Sequence, residues 1–274
     1  MADPMVLFEN VFADSDGTLS ATSEASGFEV ENINDWRIGT IYRWKATDTT
    51  SPQYLTMDLG LNVASAPDTL VIAGNNFVEA MTVNGYKVEY QVTDGSGWND
   101  LFAESAPASN VVEIQTFTAV SARYFRLTLT RAGGFDAVPH IGVVTLGRRL
   151  NFDEGCPESI DPYQQHAITD DPRTRGTYLG ANVRFKKKFF RIEWPEPGLQ
   201  KSTFFQPASG VDFDTDFVDH AIKGALPFWF SWNTADTVDP GPYLCRCRGV
   251  VSPFLGSYKR RMLSMTLEAF RAVA

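Results

Sequence analysis

Along the first half of the chain, apolar and polar positions alternate in short runs, and Gly, Asn or Asp closes each run. Tyr54-Leu-Thr-Met-Asp-Leu59 alternates and stops at Gly60, and the apolar run Thr69-Leu-Val-Ile-Ala73 stops at Gly74-Asn-Asn76. Tyr86, Val88, Tyr90 and Val92 fall two apart, so a strand over Val83–Val92 carries all four on one face. Asp94-Gly-Ser-Gly97 turns the chain before Trp98, and Val111–Phe117 and Arg123–Thr130 continue in the same style. Short strands with turns at this spacing predict a β-sandwich. No segment of this half carries a convincing helical period.

The pattern changes near residue 150. Asn151 to Arg175 holds Pro157, Pro162 and Pro172, which rule out a continuous helix or central strand there. An extended proline-containing arm is expected over 151–176, between a domain at 1–150 and a second at 177–274. In the second domain, Asn182–Lys188 and Lys188–Trp194 read as two strands of a pair, the second ended by Pro195-Glu-Pro197. Phe217, Val218, Ala221, Ile222 and Ala225 recur at helical spacing and predict one helix over Phe213–Leu226, stopped by Pro227. Asp212, Asp214 and Asp216 gather at its start, where carboxylates favour the helix dipole, and read as caps rather than metal ligands. Phe228–Trp232, Tyr243–Val251 and Arg261–Phe270 are further strands.

Charge sharpens the division. Residues 1–150 hold 9 Lys and Arg against 18 Asp and Glu, whereas residues 151–274 hold 15 of each. A general nucleic-acid groove is disfavoured, because phosphate backbones demand a concentrated basic surface. The runs Lys186-Lys187-Lys188 and Lys259-Arg260-Arg261 are short, and suit strand edges or subunit contacts better. No window approaches the roughly 20 apolar residues of a membrane span, and the chain's start lacks the pattern of a secretory signal. The three cysteines include Cys245 and Cys247 on one strand face with no accompanying ligands at zinc spacing, so buried thiols in a reducing compartment are expected rather than a metal site. Ala13-Asp-Ser-Asp-Gly17 lacks the Glu that would complete a calcium loop and reads as a turn. His166 stands apart from any recognisable nucleophile motif. Catalytic residues, metal ligands and cofactors are therefore expected to be none.

Two resemblances overlay these readings. An Asn/Asp loop, Trp44, Asp58-Leu-Gly60, Gly74-Asn-Asn76, Ala122-Arg-Tyr-Phe-Arg-Leu127 and Val143-Val-Thr-Leu-Gly147 occur in the order of the discoidin family, the coagulation factor 5/8 type C jelly roll. The resemblance covers about residues 20–147. It implies a sandwich with Trp44 in its core, framework arginines on the Arg-Tyr-x-Arg strand, and a last strand that closes beside the first. It also implies a ligand- or partner-binding loop at Asn32–Trp44, with Asp35, Trp36, Arg37 and Tyr42 on it. Trp36 either packs beneath this loop or serves as an exposed contact. The family often joins its ends by a disulfide, and no cysteine precedes Cys156 here.

The second resemblance rests on Leu226-Pro-Phe-Trp-Phe-Ser-Trp-Asn233, Pro242–Arg248 and Met265–Phe270. Over roughly 148–274 the chain resembles the β-domains that build the distal end of bacteriophage tail tubes. That implies a tail-tube-like β-domain with one α-helix, forming a homo-oligomeric ring with sixfold closure favoured over threefold. Its partners would be the tail tube protein, the hub and other tip proteins, with a host surface glycan as a further ligand. Such a chain would reside in the virion tail tip, assembled in the host cytoplasm, with a structural rather than enzymatic role. The alternative is a free carbohydrate-binding lectin or an accessory module of a glycoside hydrolase.

Overall fold

The computed structural model describes residues 4–39, 41–60, 65–82, 84–152, 165–170, 173–174, 177–178, 182–200, 205–206, 211–232, 242–251 and 260–270. The protein is mainly β and contains a discoidin-like sandwich. Its contacts divide it between Arg149 and Leu150, and they group the residues up to Val6 with the second half. No local sequence pattern carries that grouping.

After β1 (Met5–Leu7), the sandwich unit is built from β2 (Thr18–Ala21), β3 (Trp44–Lys45), β4 (Gln53–Asp58), β5 (Thr69–Ala73), β6 (Tyr86–Gln91), β7 (Asn99–Asp100), β8 (Val112–Thr116), β9 (Tyr124–Leu129), β10 (His140–Ile141) and β11 (Val143–Gly147). One sheet runs β2-β4-β9-β6-β7 and a second runs β11-β5-β8, while β3 pairs with β10. Strict alternation places Leu55, Met57, Phe125, Leu127, Tyr86 and Val88 inside. They share one core with Leu70 and Ile72 of β5 and with Val144 and Leu146 of β11. The continuous apolar run of β5 is buried at every position, as an interior strand should be. Val92, expected on the face that carries Tyr86 and Val88, lies beyond the end of β6 and is exposed.

Asp58-Leu-Gly60 ends β4 because Gly60 takes a φ of 83° that a side chain resists, and its N–H donates to Asp58 Oδ1 at 2.8 Å. The last strand, β11, pairs with β5 rather than with β2. Its tie to the start of the chain is a side chain instead. Asn10 Nδ2 donates to the Val144 carbonyl at 2.8 Å, and Asn10 Oδ1 accepts from Leu146 N–H at 3.1 Å.

The second unit adds β12 (Arg149–Asn151), β13 (Gln165–Asp170), β14 (Arg173–Thr174), β15 (Thr177–Tyr178), β16 (Asn182–Gln200), β17 (Phe205–Gln206), β18 (Val211–Asp212), β19 (Phe228–Ser231), β20 (Tyr243–Val251) and β21 (Arg260–Phe270). Its main sheet runs β12-β1-β19-β20-β21-β16-β13. The two strands expected over Asn182–Trp194 are one, and it continues past the prolines to Gln200. Its pairing with β21 shifts register between Trp194 and Leu199, an irregularity that accommodates prolines unable to donate to the ladder.

The expected helix is two π-helical turns, Phe213–Phe217 and Asp219–Lys223. Asp212 caps the first, its Oδ1 accepting from Asp214 N–H and Thr215 N–H at 2.8 Å each. Phe213 meets Phe152 edge-on and Phe217 meets Phe228 likewise, so the aromatic run noted in the sequence becomes core. Phe152 in turn stacks on Trp194 with centroids 4.8 Å apart. Cys245 is buried and burial pushes its thiol up, while Cys156 lies outside the described residues.

Lys186–Lys188 all pair with β13, which the junction expected to be an irregular arm supplies. Only Lys188 is also paired with β21, opposite Ala269, so Lys186 and Lys187 lie where β16 extends past that partner. Arg260 and Arg261 open β21 opposite Gln200 and Leu199, and Lys259 lies outside the described residues.

Candidate functional site

The segment between β2 and β3 is anchored from below before it projects. The 3₁₀ turn Val30–Asn34 buries Val30 and Ile33, while Asn34 Nδ2 donates to the Phe12 carbonyl at 2.5 Å. Asn32 Nδ2 donates to the Arg43 carbonyl at 3.3 Å and closes the base of the loop. Asp35 then accepts from Arg37 N–H through Oδ1 at 2.8 Å, an Asx turn that sets the residue between them, Trp36, at φ 59°. Burial raises the Asp35 carboxyl above its ordinary range, against the Arg37 N–H and guanidinium, which pull it down.

Beyond this turn the loop exposes apolar and aromatic surface. The Arg37 guanidinium stands 3.8 Å from Asp35 Oδ2 and 4.5 Å above the Tyr42 ring. Tyr42 is 47% exposed and its neighbour Ile41 is 72% exposed. The structure thus joins three of the four residues singled out in the sequence, Asp35, Arg37 and Tyr42. The fourth, Trp36, is half-buried at the strained corner.

A second cluster follows, which the sequence reading did not single out. Alternation across Arg43-Trp44-Lys45 drives Trp44 into the core, where its Nε1–H donates to the Ser23 carbonyl at 3.0 Å. Arg43 and Lys45 point the other way, and both stand over Phe28. Their charged ends lie 5.7 and 5.8 Å from its ring centroid. β10 lays His140 opposite Lys45, and Asn76 Oδ1 fixes its backbone by accepting from His140 N–H at 2.9 Å. Burial, together with the Arg43 and Lys45 charges, holds the His140 imidazole down at about 4. Burial also lowers Arg43, whose Nε has no acceptor among the described residues. The available signal was the pair of cations flanking a core tryptophan. Phe28 and His140, by contrast, become neighbours of that pair only through the fold.

Other features of the unit are closed. On the outer face of the larger sheet, Arg126 lies between the Tyr54 and Trp98 rings, 4.5 and 4.1 Å from their centroids. Its Nε donates to Glu89 Oε2 at 2.7 Å. Burial would raise Glu89, but Arg126, Thr128 and Lys87 outweigh it and hold the carboxyl down at about 2. Arg123 grips Asp58 through two bonds of 2.6 and 2.8 Å. These are the framework arginines that the Arg-Tyr-x-Arg resemblance implies. A shallow cleft of about 480 Å³ beside Phe12 and Leu19 is rimmed by the Asp14 and Glu31 carboxylates. Among the described residues, no group of three or more ligating side chains could hold a metal, and no helix is long and apolar enough to cross a membrane.

With the loop, the core tryptophan and the framework arginines in place, the family match falls on the same stretch. Residues 18–141 match the F5/8 type C domain. The discoidin-like domain is similar to three solved structures. One is a Ruminococcus gnavus GH29 fucosidase in complex with fucose, at 20% identity and a TM-score of 0.42, covering 51% of this chain and 26% of that one. The chain therefore spans about a quarter of that enzyme's length. Another is chitosan-binding module 1 from a Paenibacillus sp. IK-5 chitosanase/glucanase, at 19% identity and 0.39, covering 50% and 98%. A third is the family 32 carbohydrate-binding module of Clostridium perfringens NanJ in complex with galactose, at 21% identity and 0.39, covering 52% and 98%. No curated protein matches the chain.

Proposed function

We propose that the discoidin-like domain is a carbohydrate-binding module whose ligand sits at the end of the sandwich formed by the loop Asp35–Tyr42. The observation that carries this is the exposed Arg37–Tyr42 pair, held by the Asp35 turn on a base pinned by Asn32 and Asn34. An aromatic ring with a guanidinium across its face offers a sugar both a stacking surface and hydrogen-bond donors. The match to the F5/8 type C domain supports the reading. The domain's contribution would be binding, with no covalent step.

Glycan-array binding of the intact chain tests this. Arg37→Ala and Tyr42→Ala should each abolish or strongly weaken the array signal while leaving the melting temperature unchanged. Signal that survives both substitutions would move the ligand elsewhere on the domain.

A second reading concerns the other unit, as a ring-forming domain at a phage tail tip that presents the module outward. One feature favours it: β13 is a terminal strand of the seven-stranded sheet, and a terminal strand can pair with another copy. No comparison points to a phage tail. Mass photometry decides, because a chain that stays monomeric at high concentration is not ring-forming.

A further inference from the structure

The discoidin-like domain is acidic, and its cations are almost all occupied. Of the nine Lys and Arg in residues 1–150, Arg37, Lys87, Arg123, Arg126, Arg131 and Arg149 each pair with a carboxylate. Arg148 donates to the Ala66 carbonyl. The remaining two, Arg43 and Lys45, have no carboxylate partner among the described residues, although the same stretch offers 18 acidic side chains. Both stand over Phe28, and His140 faces them from β10. Arg43 Nε is buried without an acceptor, and so is the Nδ2 of Asn75, which is 4% exposed and adjoins the Asn76 that holds His140. Arg43 and Lys45 are cations, and the orphaned Arg43 and Asn75 nitrogens are donors. Gathering like charges and orphaned donors on an apolar floor opposes folding, so the arrangement suits something negative that completes it.

We infer that the Phe28–Arg43–Lys45–His140 cluster binds an anionic group, carboxylate or sulfate, on the glycan that this domain takes. The inference rests on the carbohydrate-binding reading and adds the class of sugar. The planar guanidinium of Arg43 matches either oxyanion, Lys45 supplies a mobile point charge, and the Phe28 ring supports the sugar's apolar face. A polyphosphate backbone fits poorly, because the acidic remainder of the domain repels a long polyanion. An anion beside His140 would also offset the Arg43 and Lys45 charges that now depress its imidazole.

The test is calorimetric titration of the intact chain with three probes: trigalacturonate, a 6-sulfated galactose trisaccharide and neutral galactotriose. At least one acidic probe should bind about tenfold or more tightly than the neutral one, as a charge-assisted contact does. Which acidic probe wins distinguishes carboxylate from sulfate. Lys45→Gln should reduce that preference about tenfold, and Lys45→Arg should restore it. Should Arg43→Gln fail to fold, Lys45→Gln carries the result. Saturation with the acidic probe should raise the His140 imidazole above about 4 by NMR titration. Equal binding of acidic and neutral probes overturns the inference while leaving the carbohydrate reading intact. Failure to bind any glycan overturns both. Inorganic sulfate binding as tightly as the sulfated sugar would reduce the cluster to a site for a free ion, and also overturns the inference.

Discussion

Trp36 shows how one residue can carry a loop's geometry. Its φ of 59° follows from Asp35 accepting the Arg37 N–H, a conformation that costs a side-chain-bearing residue about 1 kcal/mol. Trp36→Gly should therefore be more stable than Trp36→Ala by about 1 kcal/mol in urea titration, since both lose the indole and only glycine relieves the backbone. Glu89 makes the opposite case, a buried carboxylate that several donors hold ionised. Glu89→Gln should cost about 3 kcal/mol by removing one side of a buried ionic network. Its carboxyl is depressed to about 2 in the folded chain, so the stability it supplies is complete above the unfolded value of about 4.3 and disappears as pH falls from there through 2. Thermal melts across that window should show the loss, and Glu89→Gln should flatten it. Asp35, Trp36, Arg37 and Tyr42 were singled out by the loop that the discoidin resemblance implies, and the fold brings Asp35, Arg37 and Tyr42 together. Phe28, Arg43, Lys45 and His140 were not legible as a group. His140 reaches the cations through β3 pairing with β10, strands too short to announce themselves by alternation, and Phe28 through its carbonyl, which accepts from Lys45 N–H.

Alternation identified the long strands of the sandwich well, since a half-buried strand must repeat every two residues. It was weaker where burial is two-sided or pairing irregular. The prolines at 195 and 197 read as a stop, yet β16 crosses them by shifting its register against β21. The helical stripe over Phe213–Leu226 was found by spacing, but spacing cannot distinguish an α-helix from the wider π-turns that Phe213 and Phe217 adopt. The element least visible in the sequence was β1. Three apolar residues carry no period, yet they lie between β12 and β19, one strand in from the end of a sheet. A chain beginning at Phe8 should therefore lose the cooperative melting of the second unit while keeping that of the sandwich, whose core comes from its own strands. Calorimetry of the truncated chain checks this.

At the scale of the whole molecule, contacts divide the chain between Arg149 and Leu150, and linear reading could not show that the second unit draws on both sides of that point. Protease cleavage between residues 153 and 164 should not release two independent pieces. The N-terminal fragment retains β1, which still pairs with β19 of the other, so the fragments should co-elute on native size exclusion and separate in denaturant. The same wiring orders events during synthesis. β1 leaves the ribosome before the sandwich does, and its neighbour β19 emerges only after the whole sandwich has been made. The sandwich can therefore fold first, while Met5-Val-Leu7 waits as an unpaired apolar segment. The second unit must then close over a very long loop, a high-contact-order step that is slow by its topology. A nascent chain stalled before β19 is the form in which this protein is most open to capture by a chaperone.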